Sequence, residues 1–224
     1  MSRFIWPNAP SQSGFPVAKA GYPFIFGAAF ITGTLALLGL SAATLLALAV
    51  TLFICFFFRD PDRVVPDRPT AVVSPADGKV VVVESIDGDE RYPEKCHKIS
   101  IFMSIFNVHV NRVPCSGTIK SIHYHPGKFF SANLDKASSS NEHNAIHLEA
   151  EKGHAICFVQ IAGLVARRII CGVAENDTVR RGQRFGLICF GSRLDVYLPL
   201  NVRVNVRVGD RVQAGTSVLG EWDE

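Results

Sequence analysis

Two adjacent residues near the C-terminus, Gly191 and Ser192, could together break the peptide bond that joins them. They follow the apolar run 187–190, and 32 residues remain after Ser192. A serine hydroxyl can attack the carbonyl of the preceding residue, and a glycine leaves that carbonyl open and permits a strained turn. The attack converts the amide into an ester. Elimination then cuts the chain and leaves a dehydroalanine, which hydrolyses to a pyruvoyl group and ammonia.

A pyruvoyl group derived from Ser192 would equip the protein for one kind of reaction. Its ketone can form a Schiff base with an amine and withdraw electrons, which is what decarboxylation of an amino acid requires. The cut would leave a large chain, 1–191, and a small chain, 192–224, that stay together as a heterodimer. We expect no metal site, because the six cysteines form no CxxC pair and the neighbours Cys96 and His97 would point to opposite faces of a strand.

A long apolar segment lies far upstream of these residues. The 35 residues of 24–58 include no Asp, Glu, Lys, Arg or His. As one helix they would extend roughly 52 Å, against about 30 Å of hydrocarbon in a bilayer. A hairpin of two short spans fits better, with its turn near Gly39, and a dip into one leaflet is the alternative. The predicted organisation is a tail over 1–22, a membrane-embedded segment over 23–58 and a catalytic domain over 59–224.

The charges around the apolar segment predict its orientation. Basic residues precede it at Arg3 and Lys19 and follow it at Arg59, Arg63 and Arg68. Positive-inside logic places both ends in the cytoplasm, so the catalytic domain is expected on the cytoplasmic side of the cell (inner) membrane. The net charge of +3 is mild and does not indicate a nucleic-acid partner.

The segment after residue 70 has the pattern of a β protein. Short apolar runs bounded by turn residues recur, and residues 202–208 alternate strictly between apolar and polar. This spacing predicts a mainly β fold, a small barrel or sandwich-like catalytic domain behind the N-terminal hydrophobic segment. One short stretch before Pro114, Phe106–Arg112, is predicted to be helical.

Several short motifs occur in one order along the chain, and together they identify a resemblance. They are Phe58–Pro61, Pro75–Gly78, Asn107–Pro114, Tyr124–Gly127, Asn141-Glu142 and Phe190–Ser192. Over roughly residues 55–220 the chain resembles the phosphatidylserine decarboxylases of the short bacterial type. The resemblance implies a pyruvoyl enzyme, made by autocatalytic cleavage at Gly191-Ser192, that acts on phosphatidylserine in the membrane and produces phosphatidylethanolamine and CO2.

The resemblance also implies which side chains assist. Asp77 matches the acidic member of the family's self-cleavage triad, where it would orient and stabilise a histidine. His109 matches a position linked to decarboxylation. Longer members have a second histidine three residues further on as the base, and this chain has Arg112 there. Either His109 serves both steps, or another histidine is the base. Arg193 also departs from the family, because longer members have threonine after the serine.

Two other functions remain open at the level of sequence. The same headgroup chemistry would suit a decarboxylase of another serine-headgroup lipid, such as an archaeal-type (archaetidylserine-like) ether lipid. A different class is a non-catalytic, membrane-anchored β-barrel adaptor or carrier. A carrier would need a lysine at a hairpin tip, but the last lysine is Lys152, far from the barrel-like turns of 202–220.

Overall fold

The structure, a computed structural model, describes residues 17–127, 141–150, 153–163, 168–189 and 191–223. Most of the predicted tail (residues 1–16) and Phe190 lie outside these ranges. The protein is mainly β, with 42% strand and 20% helix, and its largest sheet curls into a half-barrel. The predicted fold class is therefore confirmed.

The charge-free stretch forms two helices in a unit that extends to Asp62. A short 3-10 helix, Lys19–Gly21, leads into α1 (Tyr22–Leu37), and α2 covers Ser41–Phe57. The hydroxyls of Thr32 and Thr51 lie 3.0 Å apart and join the two helices. By length and composition the stretch Lys19–Leu37 could cross a membrane, and α2 is a shorter apolar helix of 17 residues.

The second unit begins at Arg63 and contains fourteen strands in the described ranges. Their bounds are β1 (Ala71–Val73), β2 (Gly78–Ile86), β3 (Cys96–Met103), β4 (Val110–Arg112), β5 (Gly117–His125), β6 (His143–Ala150), β7 (Ala155–Ala162), β8 (Ile169–Cys171), β9 (Thr178–Val179), β10 (Arg184–Ile188), β11 (Ser192–Pro199), β12 (Val202–Val204), β13 (Arg211–Val212) and β14 (Val218–Trp222).

Antiparallel pairing arranges these strands into three sheets. The largest has the order β13-β2-β3-β11-β7-β6-β5-β9, and the two smaller ones have the orders β1-β14-β12 and β4-β10-β8. Strand β11 lies near the middle of the large sheet, between β3 and β7. Its first residue, Ser192, is therefore paired with a neighbouring strand on both sides.

The large sheet buries both faces over much of its length. One face carries the main apolar core, which includes Leu194, Val196 and Phe158. The other carries a smaller cluster with Tyr197, Cys157 and Tyr92. Because side chains alternate along a strand, consecutive residues of β11 enter different environments.

The helix predicted over Phe106–Arg112 is wrong. The chain instead makes a turn from Ser104 to Asn107 and then forms β4, which pairs with β10. This pairing places His109 directly before a buried strand instead of on a helical face.

Candidate active site

The Gly191–Ser192 peptide lies where a turn enters the sheet. Gly191 has a φ of 70°, in the left-handed region that favours glycine, and no heavy atom lies within 4 Å of the place that a Cβ would occupy. Its carbonyl oxygen accepts a hydrogen bond of 3.1 Å from the backbone N–H of Gly163. The residue before Ser192 therefore needs the left-handed backbone that glycine allows, and a donor polarises its carbonyl.

Ser192 is the first residue of β11 and is fully buried. It pairs with Met103 of β3 and with Ala162 of β7. Its hydroxyl donates to the Met103 sulfur at 3.3 Å, a weak acceptor. The structure thus places the Ser192 hydroxyl in a water-poor environment with a partner that holds its proton only weakly.

Buried polar side chains continue from this point across the core. Asn111 of β4 donates to the Met103 sulfur at 3.7 Å, and its carbonyl oxygen accepts a bond of 2.9 Å from Gln160. Asn144 then donates to Gln160 at 3.3 Å. A buried polar group is costly unless it is hydrogen-bonded, so this chain of bonds explains how three amides are accommodated beside Ser192.

Asp77 lies at the same end of the large sheet as Ser192. It directly precedes β2, whose Lys79 pairs with Phe102, the neighbour of Met103. One carboxylate oxygen accepts a bond of 2.8 Å from the Ala214 amide, and the other accepts 2.7 Å from Arg63. Asp77 and the Arg63 side chain are both largely buried. The described partners of Asp77 are therefore an arginine and a backbone amide.

His109 directly precedes β4, whose Asn111 contacts Met103. Its Nδ1 lies 2.9 Å from the Asn107 carbonyl oxygen, which can only accept, so Nδ1 donates. In the neutral ring the lone pair is then on Nε2. His109 is fully buried. Arg112, three residues on, is buried too and donates to the Gly182 carbonyl at 3.0 Å.

The other histidines with possible roles lie on the β5–β6 part of the sheet. His125 stacks on His143 with ring centroids 4.8 Å apart, and His123 meets His147 at 5.6 Å. His143 aligns with Ile161, which aligns with Arg193. Side-chain alternation therefore places His143 on the sheet face opposite Ser192.

Burial gives these histidines a pH-dependent effect on stability. It lowers the pKa of His143, as Arg91 and His125 also do, although the Asn141 carbonyl opposes the shift. Burial and His123 lower the pKa of His147, which also lies near the Cys157 sulfur. A lowered folded-state pKa gives stability that is present above about pH 6.5 and lost as the pH falls.

We therefore expect the free energy of unfolding to decrease between pH 7.5 and pH 5. Replacing both residues, His143→Gln with His147→Gln, should flatten that decrease, because the uncharged amides do not titrate. Urea unfolding at a series of pH values measures the slope. An unchanged slope in the double variant would contradict this explanation.

Arg193, the residue after Ser192, forms a buried ion pair within β11. Its Nε and one terminal nitrogen donate to the two carboxylate oxygens of Asp195 at 2.6 and 3.2 Å, and that same nitrogen donates to the Ser100 hydroxyl at 2.7 Å. Both charged residues are at most 1% exposed. The pair fixes the start of β11 from the face opposite Ser192.

Cys189 lies two residues before the Gly191–Ser192 peptide. Cys189 is buried, and burial raises its pKa to about 11, so its sulfur is a protonated thiol at neutral pH. Among the described residues, no group of three or more His, Cys, Asp or Glu side chains could hold a metal ion.

The structure thus brings Gly191, Ser192 and Asp77 to one end of the large sheet, and His109 follows the turn that leaves β3 at that end. Sequence reasoning missed Gly163, Met103 and Arg63, which contact them. Arg63 was noted in the sequence as a basic residue that follows the apolar segment, but only as an indication of membrane orientation. Nothing local to Gly163 or Met103 indicates a contact, because each depends on strand pairing.

Comparison with known proteins gives the family of the chain. The family model for phosphatidylserine decarboxylase matches residues 50–220. A phosphatidylserine decarboxylase proenzyme from Desulfotalea psychrophila is 49% identical over 94% of this chain and 98% of its own length. Proteins of the same name from Syntrophus aciditrophicus and Cupriavidus pinatubonensis are 50% and 47% identical, over 92% and 93% of this chain and 97% and 96% of their own lengths. The chain therefore belongs to the phosphatidylserine decarboxylase family.

Proposed function

We propose that this chain cuts itself between Gly191 and Ser192 and then decarboxylates phosphatidylserine to phosphatidylethanolamine with a pyruvoyl group derived from Ser192. The observation that carries the proposal is the geometry of that peptide. The Gly191 carbonyl oxygen accepts a hydrogen bond from the Gly163 amide, Gly191 has a φ of 70°, and the Ser192 hydroxyl is buried. The word proenzyme in the names of the relatives supports a processed enzyme.

The cleavage uses atoms of the chain and one water molecule. The Ser192 oxygen bonds to the Gly191 carbonyl carbon, the C–N bond breaks, and the released amine takes up the hydroxyl proton. Loss of the Ser192 Cα proton then expels the Gly191 carboxylate, and the chain divides. The remaining dehydroalanine tautomerises to an imine and adds water, which releases ammonia and leaves the ketone. No oxidant or reductant takes part.

The Gly163 amide is positioned for the first of these steps. Negative charge develops on the Gly191 oxygen when the carbonyl is attacked, and the Gly163 N–H already donates to that oxygen at 3.1 Å. A fixed donor in a buried site stabilises such charge without reorganising. Gly163 would therefore act through its backbone, as a one-donor oxyanion site.

We expect Gly163→Pro, which lacks the N–H, to slow self-cleavage by roughly 10²- to 10³-fold. Gly163→Ala keeps the N–H and is the matched control. Both rates come from following the uncut chain by gel or mass spectrometry, with thermal melting as a check on folding. Equal cleavage rates in two equally folded variants would exclude a role for this amide.

His109 is our candidate base. Its Nδ1 bond to the Asn107 carbonyl orients the ring and leaves the lone pair on Nε2, the form that accepts a proton. Asp77 is the proposed acidic residue, held at the same sheet end by Arg63 and the Ala214 amide. Arg112 bonds the Gly182 carbonyl, which suits a structural role better than proton transfer.

His109→Ala and Arg112→Lys should therefore have different effects. We expect His109→Ala to lose roughly 10²- to 10⁴-fold in self-cleavage, in CO₂ release per cleaved chain, or in both, as removal of a general base or acid does. Arg112→Lys, which keeps the charge and a donor, should remain within about tenfold of the wild type in both. Hydroxylamine, which traps the ester, tells whether the first or the second cleavage step is lost. Normal cleavage and turnover in His109→Ala would remove it from the mechanism.

The surroundings of residue 192 fit a pyruvoyl group. The side chain faces a core of apolar and amide side chains. Conversion turns the hydroxymethyl group into a methyl group and puts a ketone oxygen in place of the amino nitrogen, so no charge becomes buried. That ketone supplies the electron sink for loss of CO₂ from the serine headgroup. The protein itself excludes water and fixes the strand that presents the group.

The apolar helices support the proposed location. A phospholipid substrate stays in the bilayer, so an anchor keeps the catalytic unit at the membrane surface. Lys19 and Arg59 flank the helices, and this basic flanking favours the cytoplasmic side of the cell membrane.

Two measurements test the proposal. Purified protein in phosphatidylserine nanodiscs should release CO₂ and form phosphatidylethanolamine, and a ketone-specific hydrazide should label only the 192–224 fragment. The archaeal-type serine lipid is the second substrate to compare, because it shares the headgroup. A chain that stays whole and unlabelled would favour the non-catalytic adaptor and overturn the proposal.

A further inference from the structure

An exposed apolar turn stands directly beside the candidate active site. Ile105 is 39% exposed and Phe106 is 64% exposed, and we call these two residues the apolar tip. They follow Met103, the last residue of β3 and the partner of Ser192. Two large apolar side chains in water next to a buried catalytic centre suggest a surface that becomes covered.

Polar hydrogen bonds hold this turn in a defined shape. The Asn107 N–H donates to the Ser104 carbonyl at 2.9 Å, and the Ser104 N–H and hydroxyl both donate to the Asn107 side-chain oxygen, at 2.9 and 2.7 Å. The Asn107 carbonyl also accepts the bond from His109. The apolar tip is therefore fixed relative to both Ser192 and His109.

Exposed positive charge lies at the same end of the sheet. Lys79 pairs with Phe102 on one side and with Arg211 on the other. Both cations are exposed. Apolar and aromatic side chains flanked by lysine and arginine are the combination that binds the interface of an anionic membrane.

We propose that the apolar tip inserts into the surface of a bilayer containing anionic phospholipid and so holds the catalytic centre at headgroup depth. This inference rests on the proposed function, because a lipid substrate presents its headgroup at that depth. It assigns to Ile105 and Phe106 a contact separate from the helical anchor. The anchor keeps the protein near the membrane, whereas the tip orients the sheet end that carries Ser192.

Tryptophan quenching tests the insertion without any need for catalysis. Full-length Phe106→Trp, with Trp6 and Trp222 changed to Phe, is placed in vesicles of phosphatidylcholine and phosphatidylserine that carry a shallow doxyl quencher. The matched control is Leu200→Trp in the same background. Leu200 is 48% exposed but follows the other end of β11, roughly 25 Å from Ser192 along the strand.

We expect strong quenching and a blue shift at position 106, little change at position 200, and weaker quenching when Lys79→Ser and Arg211→Ser are added. Equal quenching at both positions, or none at 106, overturns the inference. If tryptophan emission from the Phe106→Trp chain shifts with protein concentration and not with lipid, a second copy of the chain covers the apolar tip. That result also overturns the inference.

A kinetic arm tests the consequence for turnover. We expect the double variant Ile105→Ser with Phe106→Ser to cut itself normally. Its kcat/KM on vesicles should fall roughly tenfold or more, mainly through a higher KM. The reason is that burying two such apolar side chains in the bilayer changes membrane binding by that order. Activity on a soluble short-chain phosphatidylserine should stay within about twofold. An equal loss on both substrates would place the tip in the substrate pocket and overturn the inference. If position 106 is quenched in a chain that has no decarboxylase activity, the insertion is supported and only the proposed function is contradicted.

Discussion

Ser192→Ala is expected to remain a single chain of 224 residues and to lose decarboxylase activity by roughly 10⁴-fold or more. The substitution removes the atom that attacks Gly191 and the precursor of the ketone. A smaller loss is not expected, because both functions depend on the same hydroxyl. Denaturing gels, intact mass and CO₂ release measure the two effects together.

Folding must be shown to survive this substitution. Ser192 is buried, and its bond to the Met103 sulfur is weak, so alanine should cost little stability. Ser85→Ala, an exposed serine on β2, is the control and should cut and turn over as the wild type does. A folded Ser192→Ala chain that still yields a fragment ending near residue 191 would show that another protease makes the cut.

Asp195→Asn is expected to cost about 3–5 kcal/mol in the free energy of unfolding. The exchange keeps the shape of the side chain but leaves the buried Arg193 guanidinium without an opposite charge, next to Ser100 alone. Against a typical total of about 5–15 kcal/mol this loss is large. Urea unfolding in the Ser192→Ala background, where a single species unfolds, measures it.

Two further variants make the result specific to the buried pair. Glu149→Gln removes the partner of Lys120 in an exposed ion pair and should cost less than about 1 kcal/mol. Arg193→Met combined with Asp195→Leu removes both charges and should recover most of the stability lost in Asp195→Asn. A mild Asp195→Asn effect, similar to that of Glu149→Gln, would mean that water reaches Arg193.

Local pattern predicted the class of the fold better than its elements. The alternation at 202–208 is typical of one half-exposed strand, but β12 ends at Val204, and the Asn205 amide donates to the Leu219 carbonyl. Alternation reports which side chains face the core, not how far a partner strand extends. The helix expected over Phe106–Arg112 failed for a related reason, since pairing with β10, far along the chain, decides the conformation.

The candidate site also has a part that the sequence predicts and a part that it does not. Gly191 and Ser192 were found because their chemistry is local to one peptide bond. The contacts of Asp77 with Arg63, and of Gly191 with Gly163, connect residues that are distant in sequence. No spacing in the chain encodes such contacts, so they appear only once the strands are paired.

The central place of β11 has a consequence for the order of events in the life of the molecule. After cleavage, the small chain would begin with β11 and also supply β12, β13 and β14, which pair with strands of all but one sheet. Neither product could complete those sheets alone. If the proposed cut occurs, folding would have to precede it, because strands β11 to β14 come from beyond the Gly191–Ser192 bond. Once cut, the two chains would not be expected to refold together after denaturation. The lifetime of the processed protein would then depend on its rate of unfolding and not on an equilibrium free energy of unfolding.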